Sequence, residues 1–239
     1  MSYATADSDN RLLAALPRAD YRQFMDHSRA TQLDTGDSLT TVGAPFEDVY
    51  FPSTGLISLL TSIDSRPALE IGVVGCEGMV GALLALDSDE SPVTARVHGA
   101  GQARAMASAD FHQELVDSTA LHGLVKRYLQ VIMGQFGQAN ACMRFHQVTP
   151  RLVRWLLNAH DRIGGDQILV THEELAGILG VRRVGVTGAA SGLQRSNLIR
   201  YTRGRLTIRD RAGLEAMACS CYATDQARYK RVMRFPIDR

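Results

Sequence analysis

The chain has 239 residues and a formal net charge of +1, from 26 Lys and Arg against 25 Asp and Glu. Its hydrophobic content of 45% is enough for ordinary cores, and its length has room for two domains. No apolar run approaches the roughly 20 residues of a membrane helix, the polar, acidic start MSYATADSDN has no apolar signal region, and the four cysteines form no CxxC pair, so the expectation is a soluble cytoplasmic protein without membrane partner or disulfide framework.

In chain order, residues 1–20 are expected to be a disordered lead-in. Residues 21–110 look β-rich. Short apolar runs such as Val49-Tyr50-Phe51, Leu56 to Leu60 and Ile71 to Val74 alternate with turn signals at Pro52 to Gly55 and Gly75. Such spacing suggests a sandwich, jelly roll or barrel. The period then changes to three and four. Leu121, Val125, Tyr128, Ile132, Phe136, Ala139 and Met143 predict a long helix over 111–145 with a coiled-coil-like seam of about three heptads. That seam is the candidate dimer interface; the alternative is a helix packed on its own domain.

A further helix starts at Thr149-Pro150, carries Leu152, Val153, Leu156 and Leu157 around Trp155, and ends at Gly164-Gly165. Ile168 to Val170 is a short strand. Thr171 with Glu174 forms a capping box. Leu175, Ile178 and Leu179 give an apolar stripe, and Gly180 supplies a tight turn. Val186, Ala189, Ala190 and Leu193 give a second stripe, with Arg183, Thr187 and Ser191 opposite. Two short helices of this kind describe either a core hairpin or a helix-turn-helix, whose second helix enters the DNA major groove. Asn197 to Asp210 reads as a hairpin turning at Thr202-Arg203-Gly204, with Arg203 and Arg205 at its tip. Residues 146–222 thus form one domain and 223–239 a tail.

Charge favours the helix-turn-helix. From His146 to Arg239 there are 16 basic and 8 acidic residues, a net of +8; from Met1 to Phe145 there are 10 and 17, a net of −7. A basic half suggests a polyanion partner. Cys219-Ser220-Cys221 is the one close cysteine pair. It is either a redox or metal site or simply two unaccompanied thiols near the C-terminus; two ligands do not close a tetrahedral zinc site, so the plain thiols are expected, with no metal and no cofactor. No nucleophile elbow, metal motif or phosphate loop suggests an enzyme.

The order of β-domain, long helix, short helix, helix-turn-helix and wing resembles the Crp/Fnr family of bacterial transcription regulators. The resemblance runs from about Tyr21 to Tyr222. It rests on Val49-Tyr50-Phe51-Pro52 with Gly55, on Glu70 to Gly81, on Arg151 to Leu156, and on Ala176, Gly180 and Val186 at the typical helix-turn-helix positions. It implies an α+β fold: an N-terminal β-roll (a double-stranded jelly roll) that senses an effector, a dimerisation helix, and a C-terminal winged helix-turn-helix. The implied function is a homodimeric, sequence-specific transcription regulator that binds double-stranded DNA and engages RNA polymerase. Arg182, Arg183, Thr187 and Ser191 would face the major groove, and Thr171, Arg203 and Arg205 would touch phosphates. The alternative is a sensor or interaction module with a degenerate DNA-binding half.

The chain departs from the family at three places. Gly81-Ala82-Leu83 and Ser91-Pro92-Val93 stand where cyclic-nucleotide-binding members carry Gly-Glu-Leu and Arg-Ser/Thr-Ala. Both charged groups are missing, and a buried cyclic phosphate would lack its cation. The unknown effector is therefore not expected to be cAMP in the usual mode. No cysteine precedes Cys76, which argues against the iron–sulfur branch, and His98, His112 and His122 have no diagnostic haem spacing. On the recognition helix, Val184 and Gly188 replace polar readers, which leaves Arg183 as the base-reading candidate.

Overall fold

Alternating burial turns the N-terminal half into sheets. In β3 (Asp48–Pro52), Val49 and Phe51 are fully buried while Asp48 and Tyr50 are only partly covered, the period of two that a one-sided sheet requires. The computed structural model describes residues 10–64 and 68–234. Helix α1 (Arg18–His27) leads into β1 (Arg29–Leu33) and β2 (Ser38–Thr40). After β3 come β4 (Leu56–Thr61), β5 (Leu69–Val74), β6 (Thr94–Gly99) and β7 (Gly101–Ala107). They form two sheets, ordered β1-β7-β3 and β2-β6-β4-β5. The first is antiparallel, with Ala105 paired to Arg29 on one side and Tyr50 on the other. This is the expected β-roll. Its core holds Phe51 edge-on between Phe24 at 4.9 Å and Phe111 at 6.0 Å.

The start of the described chain is packed. The Asn10 amide donates to the carbonyls of Pro52 (2.9 Å) and Gly78 (2.6 Å), and its Oδ1 accepts from the N–H groups of Leu12 and Leu13. Leu12 and Leu13 are fully buried. Asn10, Leu12 and Leu13 therefore belong to the core, contrary to the expected disorder over this part of the lead-in, because one asparagine satisfies four backbone groups at once. Residues 1–9 lie outside the described residues.

The long helix is interrupted. Helix α2 (Ser108–Asp117) ends at Ser118, which has an extended backbone and whose hydroxyl accepts from the Leu121 N–H at 3.0 Å. That capping starts α3 (Thr119–Phe145) as a separate helix. The dimerisation helix expected over 111–145 is thus two helices, and only α3 is long.

The chain divides into two units. Among the described residues, one comprises residues 10–57, 74–129 and 233–234; the other comprises residues 58–64, 68–73 and 130–232. The β4–β5 hairpin therefore groups with the helical half. In that unit, α4 (Val148–Ile163) is followed by β8 (Gln167–Leu169), α5 (His172–Leu179), α6 (Arg183–Arg195), β9 (Ile199–Thr202), β10 (Arg205–Ile208), α7 (Arg211–Met217) and α8 (Ser220–Val232). The strands pair in the order β8-β10-β9, and α6 packs on α4 and α5. This is a winged helix. Residues 223–232, expected as a tail, are the body of α8. Gly134 permits close approach there, since a Cβ on it would stand 2.5 Å from Arg228 Cδ.

Candidate nucleic-acid interface

The capping box forms as the spacing predicts. Thr171 Oγ1 accepts from the Glu174 N–H at 3.2 Å, and the Glu174 carboxylate accepts from the Thr171 N–H at 2.6 Å. The Thr171 hydroxyl also donates to that carboxylate at 2.8 Å. At the end of α5, Gly180 takes φ +61°, and a Cβ would stand 2.8 Å from Leu69 Cδ1. The turn therefore needs glycine for its backbone and for its packing. Ala176 and Val186 are buried across the two helices.

Helix α6 buries Val186, Ala189, Ala190 and Leu193 and leaves its other face open. Arg182 caps its N-terminus without a side-chain hydrogen bond, and its side chain is exposed. Arg183 and Thr187 are exposed and Ser191 is half-buried on the same flank. Val184 is 76% exposed, Gly188 is open, and Arg195 extends the face by one more turn. Arg195 was not among the sequence candidates, although its i+4 spacing from Ser191 marks it. The Arg183 Nε lies 4.0 Å from a Glu173 carboxylate oxygen, and both side chains are exposed. Such a pair holds weakly and leaves the guanidinium available.

Thr187 is partly engaged by the protein. Its hydroxyl donates to the Arg183 carbonyl at 3.1 Å and lies 3.0 Å from His172 Nδ1. With that donation made, Nδ1–H of His172 donates to Thr187 Oγ1. The imidazole also stacks on Tyr201 at 4.6 Å, nearly parallel, and the Tyr201 hydroxyl donates to the Val170 carbonyl at 2.7 Å. Burial, with Arg183 nearby, lowers the His172 pKa and so favours the neutral ring. His172 and Tyr201 thus join α5, α6 and the wing, a link the sequence reading missed because it spans three elements.

The wing is a two-residue hairpin. Arg205 pairs with Thr202 and Leu206 with Tyr201, so Arg203 and Gly204 alone make the turn. Both have positive φ, +50° and +78°. That is the type I′ geometry matched to strand twist, and an arginine in it is strained. Arg203 and Arg205 are exposed at the tip.

The proposed seam on α3 requires correction at three of its seven positions. Leu121, Val125 and Tyr128 are at most 1% exposed within the single chain. They are core residues and cannot meet a second copy. Ile132, Phe136, Ala139 and Met143 are half-buried, and the Phe136 ring packs on Gly72 of β5. The open face of α3 runs through Gly123, Lys126, Gln130, Met133, Gly137, Asn140 and Arg144, also in steps of three and four. Periodicity shows that a stripe exists; it does not show which stripe the chain's own core takes.

In the β-roll, Gly81 with φ +92° starts a 3-10 turn over Ala82–Leu86, and Ser91 is buried with its hydroxyl donating to the Val93 carbonyl at 2.7 Å. His112 lies 3.2 Å from Asp89 Oδ1 and His122 lies 3.2 Å from the Ala85 carbonyl. Glu70, within the helical unit, accepts from the hydroxyl of Ser58 (2.5 Å) and the indole N–H of Trp155 (2.9 Å). Burial outweighs these donors and the nearby Arg162 and Arg154, and pushes its pKa up to about 7.

The cysteine pair is not isolated. Cys219 and Cys221 lie beside Cys142 and His146 from the end of α3. The expectation of two unaccompanied thiols is overturned by contacts across more than 70 positions of sequence, with Cys142 and Cys219 separated by 77.

Comparison with known proteins agrees with this geometry. Residues 150–217 match the Crp-like helix-turn-helix domain family. No curated protein matches the sequence. Among solved structures, a putative transcriptional regulator of the Crp/Fnr family from Eubacterium rectale is similar over 86% of this chain and 96% of its own, with 16% identity and a TM-score of 0.66. The c-di-GMP-responsive regulator CLP from Xanthomonas campestris is similar over 80% of this chain and 99% of its own, with 20% identity and a TM-score of 0.64. FixK2 from Bradyrhizobium japonicum is similar over 80% and 98%, with 11% identity and a TM-score of 0.67. Among the described residues, no helix is long and apolar enough to cross a membrane.

Proposed function

We propose that this chain, which has the fold of Crp/Fnr transcription regulators and carries their Crp-like helix-turn-helix domain, works as a homodimer that binds specific DNA sequences. The observation that carries the reading is the open face of α6. It presents Arg182, Arg183, Thr187 and Ser191 together, on a helix whose opposite face is fully packed. Arg183 pairs with a guanine through O6 and N7. Arg203, Arg205 and the N-terminal turn of α5 at Thr171 hold phosphates. Val184 offers only an apolar surface and Gly188 none, so the operator is this protein's own. RNA polymerase and an effector acting at the β-roll complete the proposal; the missing cation and carboxylate support an effector other than cAMP in its usual mode.

Selection of bound sequences from a random DNA pool, using the purified full chain, tests this. A single enriched motif with two half-sites about one helical turn apart supports it. No enrichment favours the second reading, a sensor or interaction module, for which the unpolar Val184 and Gly188 positions are the specific support.

A further inference from the structure

We propose that Cys142, His146, Cys219 and Cys221 form a binding site for one tetrahedral, thiolate-preferring divalent cation of the zinc type. Four side chains contribute one ligand atom each, and all four atoms lie within 4.8 Å of one another. The Cys142 and Cys219 sulfurs are 3.7 Å apart. Cys221 Sγ and His146 Nδ1 are 3.5 Å apart. A tetrahedral ion with Zn–S near 2.3 Å and Zn–N near 2.0 Å has S···S edges of about 3.8 Å and S···N edges of about 3.5 Å. Both observed separations fall on those edges. An iron–sulfur cluster spreads its four ligands over two or more irons, farther apart than this quartet allows.

The surroundings fit the same ion. The three cysteines are buried, and His146 is half-buried. Cys142 and His146 are four residues apart at the end of α3 and share a face; the His146 N–H donates to the Cys142 carbonyl at 3.0 Å, which continues the helical turn. Cys219 and Cys221 flank Ser220 at the first turn of α8. Gln138 donates its amide N–H to Cys221 Sγ at 3.1 Å, a bond that orients a metal thiolate. Three thiolates and a divalent cation leave one negative charge, and the Arg154 guanidinium, which also pairs with Asp225 at 2.8 Å, lies beside Cys142.

The site also has a distinctive place in the chain. Its ligands bracket the whole Crp-like domain at 150–217, two before it and two after it. A bound ion closes that domain into a loop at its base and ties α3 to α8. Closing so long a loop removes much chain entropy from the unfolded state, so the ion stabilises this unit. The metal-binding test does not depend on whether the protein reads DNA.

The full chain, purified anaerobically without chelator or added metal, is assayed for bound metal by mass spectrometry, and the apoprotein is titrated with cobalt(II). The expected result is about one zinc per chain, and a cobalt complex with thiolate charge-transfer bands and tetrahedral ligand-field bands that one equivalent of zinc displaces. Cys142→Ser and Cys221→Ser lower the affinity at least tenfold, while Cys76→Ser, outside the quartet, leaves it unchanged. Chelation lowers the melting temperature. The inference is overturned if the wild-type chain gives no tetrahedral cobalt spectrum, if Cys142 and Cys219 are recovered as a disulfide from anaerobic protein, or if binding survives both serine variants. Because the cobalt spectrum is read on the wild-type chain, a variant that fails to fold does not remove the test.

Discussion

Trp155 donates its indole N–H to the Glu70 carboxylate at 2.9 Å, joining α4 to the β5 strand within one unit. Ser58 holds the other oxygen at 2.5 Å. The carboxylate beside them is pushed up by burial to about 7, from 4.5. The folded protein therefore holds a proton that the unfolded chain has released between these values. Stability falls as pH rises from 4.5 through about 7 and levels off above it. Glu70 keeps some contact with water, so the effect is on the order of 2 kcal/mol, less than the full shift would give. Urea unfolding from pH 5 to 8 should show this slope, and Glu70→Gln should flatten it. An unchanged slope in the variant would assign the dependence to another group.

Gly180→Ala places a Cβ at φ +61° and 2.8 Å from Leu69 Cδ1. The left-handed backbone alone costs about 1–2 kcal/mol for a non-glycine residue. The expected outcome is a lower melting temperature by calorimetry, with the loss confined to the helical unit.

Thr171→Ala removes the cap of α5 and leaves the Glu174 N–H without its acceptor. The expected cost is about 1 kcal/mol of stability. If Thr171 also holds a phosphate, DNA affinity falls beyond what the stability change explains; equal DNA binding at a temperature where both proteins are folded would remove Thr171 from the interface.

Arg183→Ala should cost about 1–3 kcal/mol on the selected operator and relax preference at one base position. Arg203→Ala should weaken specific and random DNA alike and reduce the salt slope by about one. Fluorescence anisotropy over a range of salt separates the two. An equal loss for Arg183→Ala on both DNAs would mean that it holds a phosphate and reads no base.

Met133 is 74% exposed on the open face of α3. If that face is the dimer seam, Met133→Glu places a charge at its middle and should shift sedimentation from dimer to monomer. A dimer that persists in this variant would move the interface elsewhere.

The helix-turn-helix was legible because its signals are local. The Thr171–Glu174 box, the Gly180 turn, the stripe through Val186 and Leu193, and the Arg203-Gly204 wing each depend on neighbours within a few residues, where capping, chirality and the 3.6-residue period act directly. The alternating runs of the β-roll were legible for the same reason, although pairing β1 with β7 was not. The same periodicity on α3 was misleading as to face. Leu121, Val125 and Tyr128 form a true apolar stripe, but their own domain takes it, and only packing reveals that Met133 and Gly137 stay open. The break at Ser118 was missed because an extended capping serine leaves no gap in an apolar count.

From its sequence alone, this chain had a readable order of elements, a basic C-terminal half and a DNA-facing helix with Arg183 on it. The tertiary structure decided what lies against what: Asn10 on Pro52 and Gly78, Glu70 on Trp155, His172 on Tyr201, and Cys142 and His146 on Cys219 and Cys221. These pairs are separated by up to 85 positions, and no local propensity encodes them. They exist because burial of the apolar stripes brings distant segments together, and the polar and sulfur side chains carried along must then find partners in one another.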